Sequence, residues 1–243
     1  MENNKILEVK DLKKKYKGND YYSLKGATFE CNLGEVVGMV GKNGAGKSTI
    51  IKCVTGLIPY SEGSVKVGGF EVKEKSTETK RLIGFVPDVS FAFEKMTGME
   101  YINFVADIYG VSQKDRQERI ELFQSKFKLG DKIFNLISSY SHGMKQKISV
   151  MASIVSNPKL WILDEPHTGL DPQTTLALRN FMKEYAEKGN CVIFSSHNLD
   201  IVEKICDKVI IINNGELISQ IDMATFKNSG KSLEEYFIEV CGD

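Results

Sequence analysis

Two hydrophobic periodicities divide the chain. Short runs rich in β-branched and aromatic residues, Val36 to Val40, Ile83 to Val86, Leu160 to Leu163, Cys191 to Phe194 and Val209 to Ile212, are apolar at nearly every position, as strands buried on both faces are. They alternate with amphipathic stretches, and that order predicts an α/β fold around a mostly parallel sheet. Ile6 to Val9, Ala27 to Cys31 and Ser64 to Val67 read as further strands, the last joined through Gly68-Gly69 to Phe70 to Val72 in a hairpin whose glycines supply positive φ. These predict a small antiparallel β-subdomain beside the main sheet.

From Met99 to Pro158 the period changes to that of helices. Met99 to Tyr109 stops at Gly110, Ser112-Gln-Lys-Asp115 has the form of a capping box, and apolar residues recur at 120, 122, 123 and 127. The spacing predicts a helical subdomain over approximately 88–158, inserted in a core that otherwise runs through 1–243 as a single domain. Pro172 suits the first turn of a helix reaching Gly189, and Ser232-Leu-Glu-Glu235 caps a final helix.

Chemistry concentrates after the core strands. Gly41-Lys-Asn-Gly-Ala-Gly-Lys47-Ser48-Thr49 follows one apolar run and opens a helical pattern up to Gly56. It matches G-x-x-x-x-G-K-[ST] in the strand–loop–helix setting that a phosphate-binding loop requires. Its glycines let backbone N–H groups close around a β-phosphate, Lys47 sets a point charge on the β/γ oxygens, and the Ser48 hydroxyl can ligate Mg²⁺. Gly41, Asn43, Gly44, Ala45, Gly46, Lys47, Ser48 and Thr49 are therefore candidate nucleotide contacts, with ATP and Mg²⁺ the expected cofactors.

Leu160-Trp-Ile-Leu163 ends in Asp164-Glu165. Behind a phosphate loop, Asp164 is the candidate to hold Mg²⁺ through water and Glu165 to orient or deprotonate the attacking water. His197 follows another apolar strand through Ser195-Ser196. It falls on the sheet edge where α/β folds bind ligands, from which it can donate a hydrogen bond to a γ-phosphate.

Composition removes other classes. Lysine plus arginine (32) balances aspartate plus glutamate (32), so no pull toward nucleic acid is implied. The longest strictly apolar runs are four residues, against the roughly 20 needed to cross a bilayer. The opening Met1-Glu2-Asn3-Asn4-Lys5 lacks the apolar stretch of a secretion signal, and five scattered cysteines without metal-ligand spacing read as free thiols in a reducing compartment.

The order of these motifs resembles the ATP-binding subunit of ABC transporters over nearly the whole chain. Its most specific marker is Tyr140-Ser141-His142-Gly143-Met144-Lys145-Gln146, similar to the family signature, which usually reads L-S-G-G-Q. Gly169-Leu170-Asp171-Pro172 matches the family's D-loop, His197 its switch histidine, and Tyr16, in Lys15-Tyr16-Lys17-Gly18, the aromatic that stacks on adenine. The resemblance implies head-to-tail pairing of two such domains, in which Ser141 and the Gly143 backbone of one reach the γ-phosphate on the other and Asp171 contacts the partner. It also implies integral-membrane permease subunits, a second ATPase subunit that is either the same chain or a paralogue, and a peripheral position on the cytoplasmic face of the membrane.

Three residues depart from the family pattern. Asp88, in Pro87-Asp88, replaces the usual glutamine that contacts metal and water; it is one methylene shorter and charged, and can still meet Mg²⁺ through water. His142 replaces the first signature glycine, adding a side chain near the expected γ-phosphate. His167 stands where threonine is usual and is expected to be a neutral surface change.

The signature, Ser196-His-Asn-Leu-Asp200 and Ser232-Leu-Glu-Glu-Tyr-Phe237 look like bacterial exporters of drugs, antimicrobial peptides and bacteriocins. The expected function is that of an exporter's motor subunit, hydrolysing ATP to ADP and phosphate. The helical insert, with the loop from Asp88 to Gly98, would receive a short cytoplasmic helix of the membrane subunit; Phe91, Phe93 and Met96 of that loop either meet the partner or fold back on the helical subdomain. A soluble ABC ATPase of a cytosolic assembly, such as an iron-sulfur scaffold, is the alternative. A third reading, a non-catalytic nucleotide sensor, draws on Asp88 and His142 and is opposed by the retention of Lys47, Asp164, Glu165 and His197.

Overall fold

The computed structural model describes residues 4–88 and 93–242, so Phe91 lies outside the described residues. In chain order the strands are β1 (Lys5–Lys14), β2 (Leu24–Asn32), β3 (Val36–Val40), β4 (Glu62–Val67), β5 (Phe70–Glu71), β6 (Ile83–Val86), β7 (Leu160–Leu163), β8 (Cys191–Ser196), β9 (Lys208–Asn213) and β10 (Glu216–Asp222). The helices are α1 (Lys47–Val54), α2 (Ser76–Leu82), α3 (Gly98–Ile108), α4 (Gln113–Phe127), α5 (His142–Ile154), α6 (Pro172–Glu187), α7 (Leu199–Ile205), α8 (Met223–Phe226) and α9 (Leu233–Cys241).

The uniformly apolar runs form the main sheet, ordered β10-β9-β3-β8-β7-β6. Its pairings are parallel except for β10, which lies antiparallel on β9 at the edge. Alternate side chains of each strand enter opposite cores, as the two-residue strand period demands. Val37, Met39, Leu160, Ile162, Cys191, Ile193, Ile210 and Ile212 pack toward the antiparallel sheet β2-β1-β4-β5 and α1. Val36, Val40, Trp161, Leu163, Val192, Phe194, Val209 and Ile211 pack toward the helices on the other face. Every one of these side chains is buried, each burial contributing about 1.5–3 kcal/mol for a large aliphatic or aromatic group.

Between β6 and β7 run α3, α4 and α5. Thr97 caps α3 reciprocally with Glu100. At α4 the Ser112 hydroxyl accepts from the Asp115 N–H (3.1 Å), but the return bond of a capping box is absent among the described residues, aspartate being one methylene shorter than glutamate. Ile120, Phe123 and Phe127 are buried while Leu122 is exposed, so 122 falls off the apolar stripe. Phe123 and Phe127 each meet Phe181 of α6 edge-on at 6.0 Å, and Phe181 meets Trp161 of β7 at 5.8 Å. Aromatic packing thus fixes α4 to the sheet that carries the site.

The sequence pattern did not reveal β10, α2, α7 or α8, nor the full length of β1. β10 buries only Ile221 fully, and α2 buries only Thr79, so neither shows an apolar stripe. β1 continues past Val9 through an irregularity between Val9 and Leu12, where Asp11 takes φ +47° and breaks the alternation. Among the described residues, no helix is long and apolar enough to cross a membrane.

Candidate functional site

The loop from Gly41 to Gly46 joins β3 to α1. A Cβ at Gly41 would lie 2.3 Å from the Ile212 carbonyl oxygen, and Gly46 precedes α1 at φ +115°, a conformation open to glycine. No side chain caps α1, which leaves its first-turn N–H groups available to an anion. The Lys47 ammonium is buried and bonds the carbonyls of Gly41 (2.7 Å) and Lys42 (3.4 Å), which aims it back across the loop. A cavity of about 590 Å³ opens over this loop, lined by Asn43, Gly44, Ala45, Gly46, Lys47, Ser48 and Thr49 together with Asp88 and Glu165.

The ends of β7 and β8 supply the acid groups. Asp164 is buried, its Oδ1 accepting from the Ser195 hydroxyl at 2.6 Å, while Ser195 Oγ accepts from the Glu165 N–H at 2.9 Å. Ser195 thereby links both carboxylate residues to β8. Glu165 takes φ +48°, a left-handed conformation costly for a residue with a side chain, and that strain re-aims its carboxylate. Glu165 Oε1 lies 3.8 Å from Lys47 Nζ, and Oε2 lies 2.9 Å from His197 Nδ1. One carboxylate is thus held between an ammonium and an imidazole beside a phosphate-sized nest.

Other sequence candidates fall elsewhere. Tyr16 places its hydroxyl 3.4 Å from Thr49 Oγ1, with the Lys14 ammonium 4.9 Å from its ring centre, and does not line the cavity. Ser141, Gly143 and Asp171 lie outside it as well. Ser141 caps α5 by accepting from the Met144 N–H (3.3 Å). Asp171 caps α6 through the Thr174 N–H (2.9 Å) and hydroxyl (2.6 Å), bonds that hold its carboxyl below the usual range. Lys147 of α5 sits 3.7 Å from Asp171, and the Gln146 amide donates to the Pro166 carbonyl at 3.5 Å, so α5 and the 166–171 segment are tied within the chain. The exposed His142 ring covers Gly169, where a Cβ would lie 2.2 Å from it.

His167 is not a neutral surface residue. Both ring nitrogens are buried without a hydrogen-bond partner among the described residues, and the ring packs edge-on against Phe194 at 5.8 Å. Burial, helped by the nearby Arg179 charge, pushes its pKa down to about 4. The sequence reading also missed Ser195 as a bridge and the Asn214-Gly215 turn, whose Gly215 N–H donates to the Ala45 carbonyl (2.9 Å) and braces the phosphate loop. Asn-Gly between two strands is itself a hairpin signal; nothing in the local sequence distinguishes Ser195.

The family model for ABC transporters matches residues 24–168, more than half of the chain. The chain belongs to the ABC transporter family. Among its relatives, the Bacillus subtilis ABC-type transporter ATP-binding protein EcsA is 34% identical over 97% of this chain and 96% of its own length. The B. subtilis linearmycin resistance ATP-binding protein LnrL is 33% identical over 88% of this chain and 68% of its own. The SkfA peptide export ATP-binding protein SkfE, from the same organism, is 30% identical over 95% of both. A solved ATP-binding subunit of an ABC transporter superposes with a TM-score of 0.90 at 32% identity, covering 97% of this chain and 99% of that one. The mostly parallel sheet, small antiparallel sheet and surrounding helices are thus the ABC ATPase form of the P-loop fold. At the level of the family, this is an ATP-binding subunit of the kind that works with membrane permeases.

Proposed function

We propose that the chain is the ATP-hydrolysing motor subunit of an ABC exporter, working through separate membrane permease subunits on a drug, an antimicrobial peptide or similar cargo. The observation that carries the reading is the Glu165 carboxylate held between Lys47 and His197 beside the phosphate loop. We take residues 1–243 as one ABC ATPase domain, with the helices between β6 and β7 as its subdomain.

In this reading the loop N–H groups and Lys47 hold the β- and γ-phosphates, and Lys47 exchanges its carbonyl partners for phosphate oxygens. Glu165 orients the attacking water and takes its proton. His197 keeps Glu165 in place through Nδ1. The Ser48 hydroxyl and the Asp88 carboxylate line the nest as hard oxygen donors, of the kind that suits Mg²⁺, and the third expected donor, Asp164, is buried at the end of β7 on Ser195. When bound there, Mg²⁺ neutralises charge on the phosphate oxygens.

Ser141, Gly143 and Asp171 lie away from their own chain's cavity, which supports a role toward a second ATPase subunit, either a copy or a paralogue. An ABC cassette of the same fold, with a TM-score of 0.78 and 22% identity, is described as a dimer bound to ADP and phosphate. A second cavity of about 340 Å³, lined by Leu57, Phe85, Phe93, Tyr101, Val105 and Tyr109, offers an apolar seat for a permease helix. Phe93 stacks on Tyr101 at 5.3 Å yet stays 38% exposed, so it both packs on α3 and presents a face, while the Met96 carbonyl accepts from the Ile137 N–H at 2.9 Å. In this reading the chain sits at the cytoplasmic face of the membrane through its partners.

The peptide export in the name of SkfE and the linearmycin resistance in that of LnrL favour export over a soluble cytosolic assembly such as an iron-sulfur scaffold. Detergent-resistant copurification with a polytopic membrane protein is the expected result; a purely soluble complex would overturn the reading.

A further inference from the structure

The carboxyl end of α9 reaches the phosphate loop from outside the nucleotide cavity. A helix leaves its last carbonyls without partners of its own, and two of those in α9 are taken by residues that frame the loop. The Cys241 carbonyl accepts from the Asn213 amide at 3.2 Å. The Gly242 carbonyl accepts from the Lys42 ammonium at 3.3 Å, a cation at a helix end where its charge is favoured. Neither Lys42 nor Asn213 lines the cavity.

Both contacts bear on the same part of the loop. The Lys42 carbonyl accepts from the Ala45 N–H (3.0 Å) and from the Lys47 ammonium (3.4 Å), so what holds Lys42 also helps to hold the cation that faces the phosphates. Asn213 ends β9 and leads into Asn214-Gly215, whose Gly215 N–H donates to the Ala45 carbonyl at 2.9 Å. The amino end of α9 is fixed to α7, the helix that follows His197: the Leu233 N–H donates to Glu203 Oε2 at 3.2 Å. Leu233 is buried, and Tyr236, Phe237 and Val240 pack against the same core. Gly242 itself has φ +66° and ψ 173°, a combination that essentially only glycine adopts. In that conformation its carbonyl meets Lys42 while its N–H closes the helix on the Ile238 carbonyl at 3.0 Å.

We propose that α9 is a strap that positions the phosphate loop, with the Gly242 carbonyl as its anchor and Lys42 as the positioning residue that grips it. The strap acts on the binding of phosphates and not on the attacking water. A loosened Lys42 leaves the Ala45 N–H and the Lys47 ammonium less well placed for phosphate oxygens, whereas Glu165 keeps its own bond to His197. This role rests on the reading of the cavity as an ATP site and adds to it an element, far along the chain, that sets the loop.

Calorimetry with ATP and with inorganic tripolyphosphate, each with Mg²⁺, and steady-state phosphate release compare the wild-type chain with Lys42→Met, Lys42→Arg, Gly242→Val and the Lys42→Met/Gly242→Val double variant. Among the described residues no atom lies within 4 Å of where a Cβ on Gly242 would stand, so Gly242→Val acts through the backbone and displaces the anchor without touching the loop. Lys42→Met and Gly242→Val should each weaken both ligands about fivefold and raise KM to match, with kcat at saturating MgATP within about twofold. The double variant should lose no more than either single variant, because both remove one bond. Lys42→Arg keeps a donor and should bind like the wild type. Wild-type affinity in Gly242→Val would overturn the strap, as would a loss confined to Lys42→Met, which would make Lys42 a direct phosphate contact. A lower kcat with unchanged affinity, additive losses in the double variant, or weak binding by Lys42→Arg would overturn it too. A wild-type chain that binds neither ligand would instead refute the underlying nucleotide site.

Discussion

Replacing His167 by leucine should flatten the acid side of the stability profile. The imidazole is buried against Phe194 with neither nitrogen partnered among the described residues, and its pKa falls from 6.5 to about 4 in the folded chain. Between those values the unfolded chain takes up a proton at this site and the folded chain does not, so stability falls as pH drops through that window. At about pH 5 the free-energy difference from a site with these two pKa values is about 2 kcal/mol, and at about pH 7.5 it is about 0.1 kcal/mol or less. Leucine does not titrate and is of comparable bulk. Urea unfolding of both proteins at the two pH values isolates the effect, because other groups cancel in the double difference. The variant is expected to lose about 2 kcal/mol less than the parent between about pH 7.5 and about pH 5. The same pH dependence in both proteins would refute the burial argument.

Three other outcomes follow from the site. Lys47→Ala removes the ammonium that faces the phosphate position, and calorimetry should show ATP affinity reduced by at least about tenfold; full affinity would count against the loop assignment. Ser195→Ala strips the Glu165 N–H and Asp164 Oδ1 of a shared partner. Denaturation should show a loss of about 2 kcal/mol together with slower ATP turnover, and a variant unchanged in both would show the bridge to be idle. Phe93→Glu puts a charge on the exposed ring in the second cavity. It should abolish transport while ATP binding persists, and normal transport would remove the docking surface.

The parallel strands were legible because burial on both faces leaves runs such as Val36 to Val40 with no polar interruption. β10 and α2 bury one side chain each in full, and a pattern read from apolar spacing has little to detect there. The phosphate loop was legible through its glycines and Lys47, and the sheet places Glu165 beside it with His197 bonded to Glu165. What spacing could not convey was contact across strands, as in Ser195 of β8 bridging the two acids of the β7 end. His167 was misread for the same reason: its sequence neighbours Thr168 and Gly169 are exposed, but its burial comes from Phe194, far along the chain. Tyr16 was picked from its local sequence, and its hydroxyl lies 3.4 Å from Thr49 Oγ1 at the start of α1.

We propose that Glu165, strained into place between Lys47 and His197, acts on the attacking water and not on the nucleotide. Phosphate release at saturating MgATP by Glu165→Gln, set against the wild-type chain, tests it most directly. The amide keeps the shape but cannot accept the water's proton, so turnover should fall by about 100-fold or more. Turnover equal to that of the wild type would contradict the account.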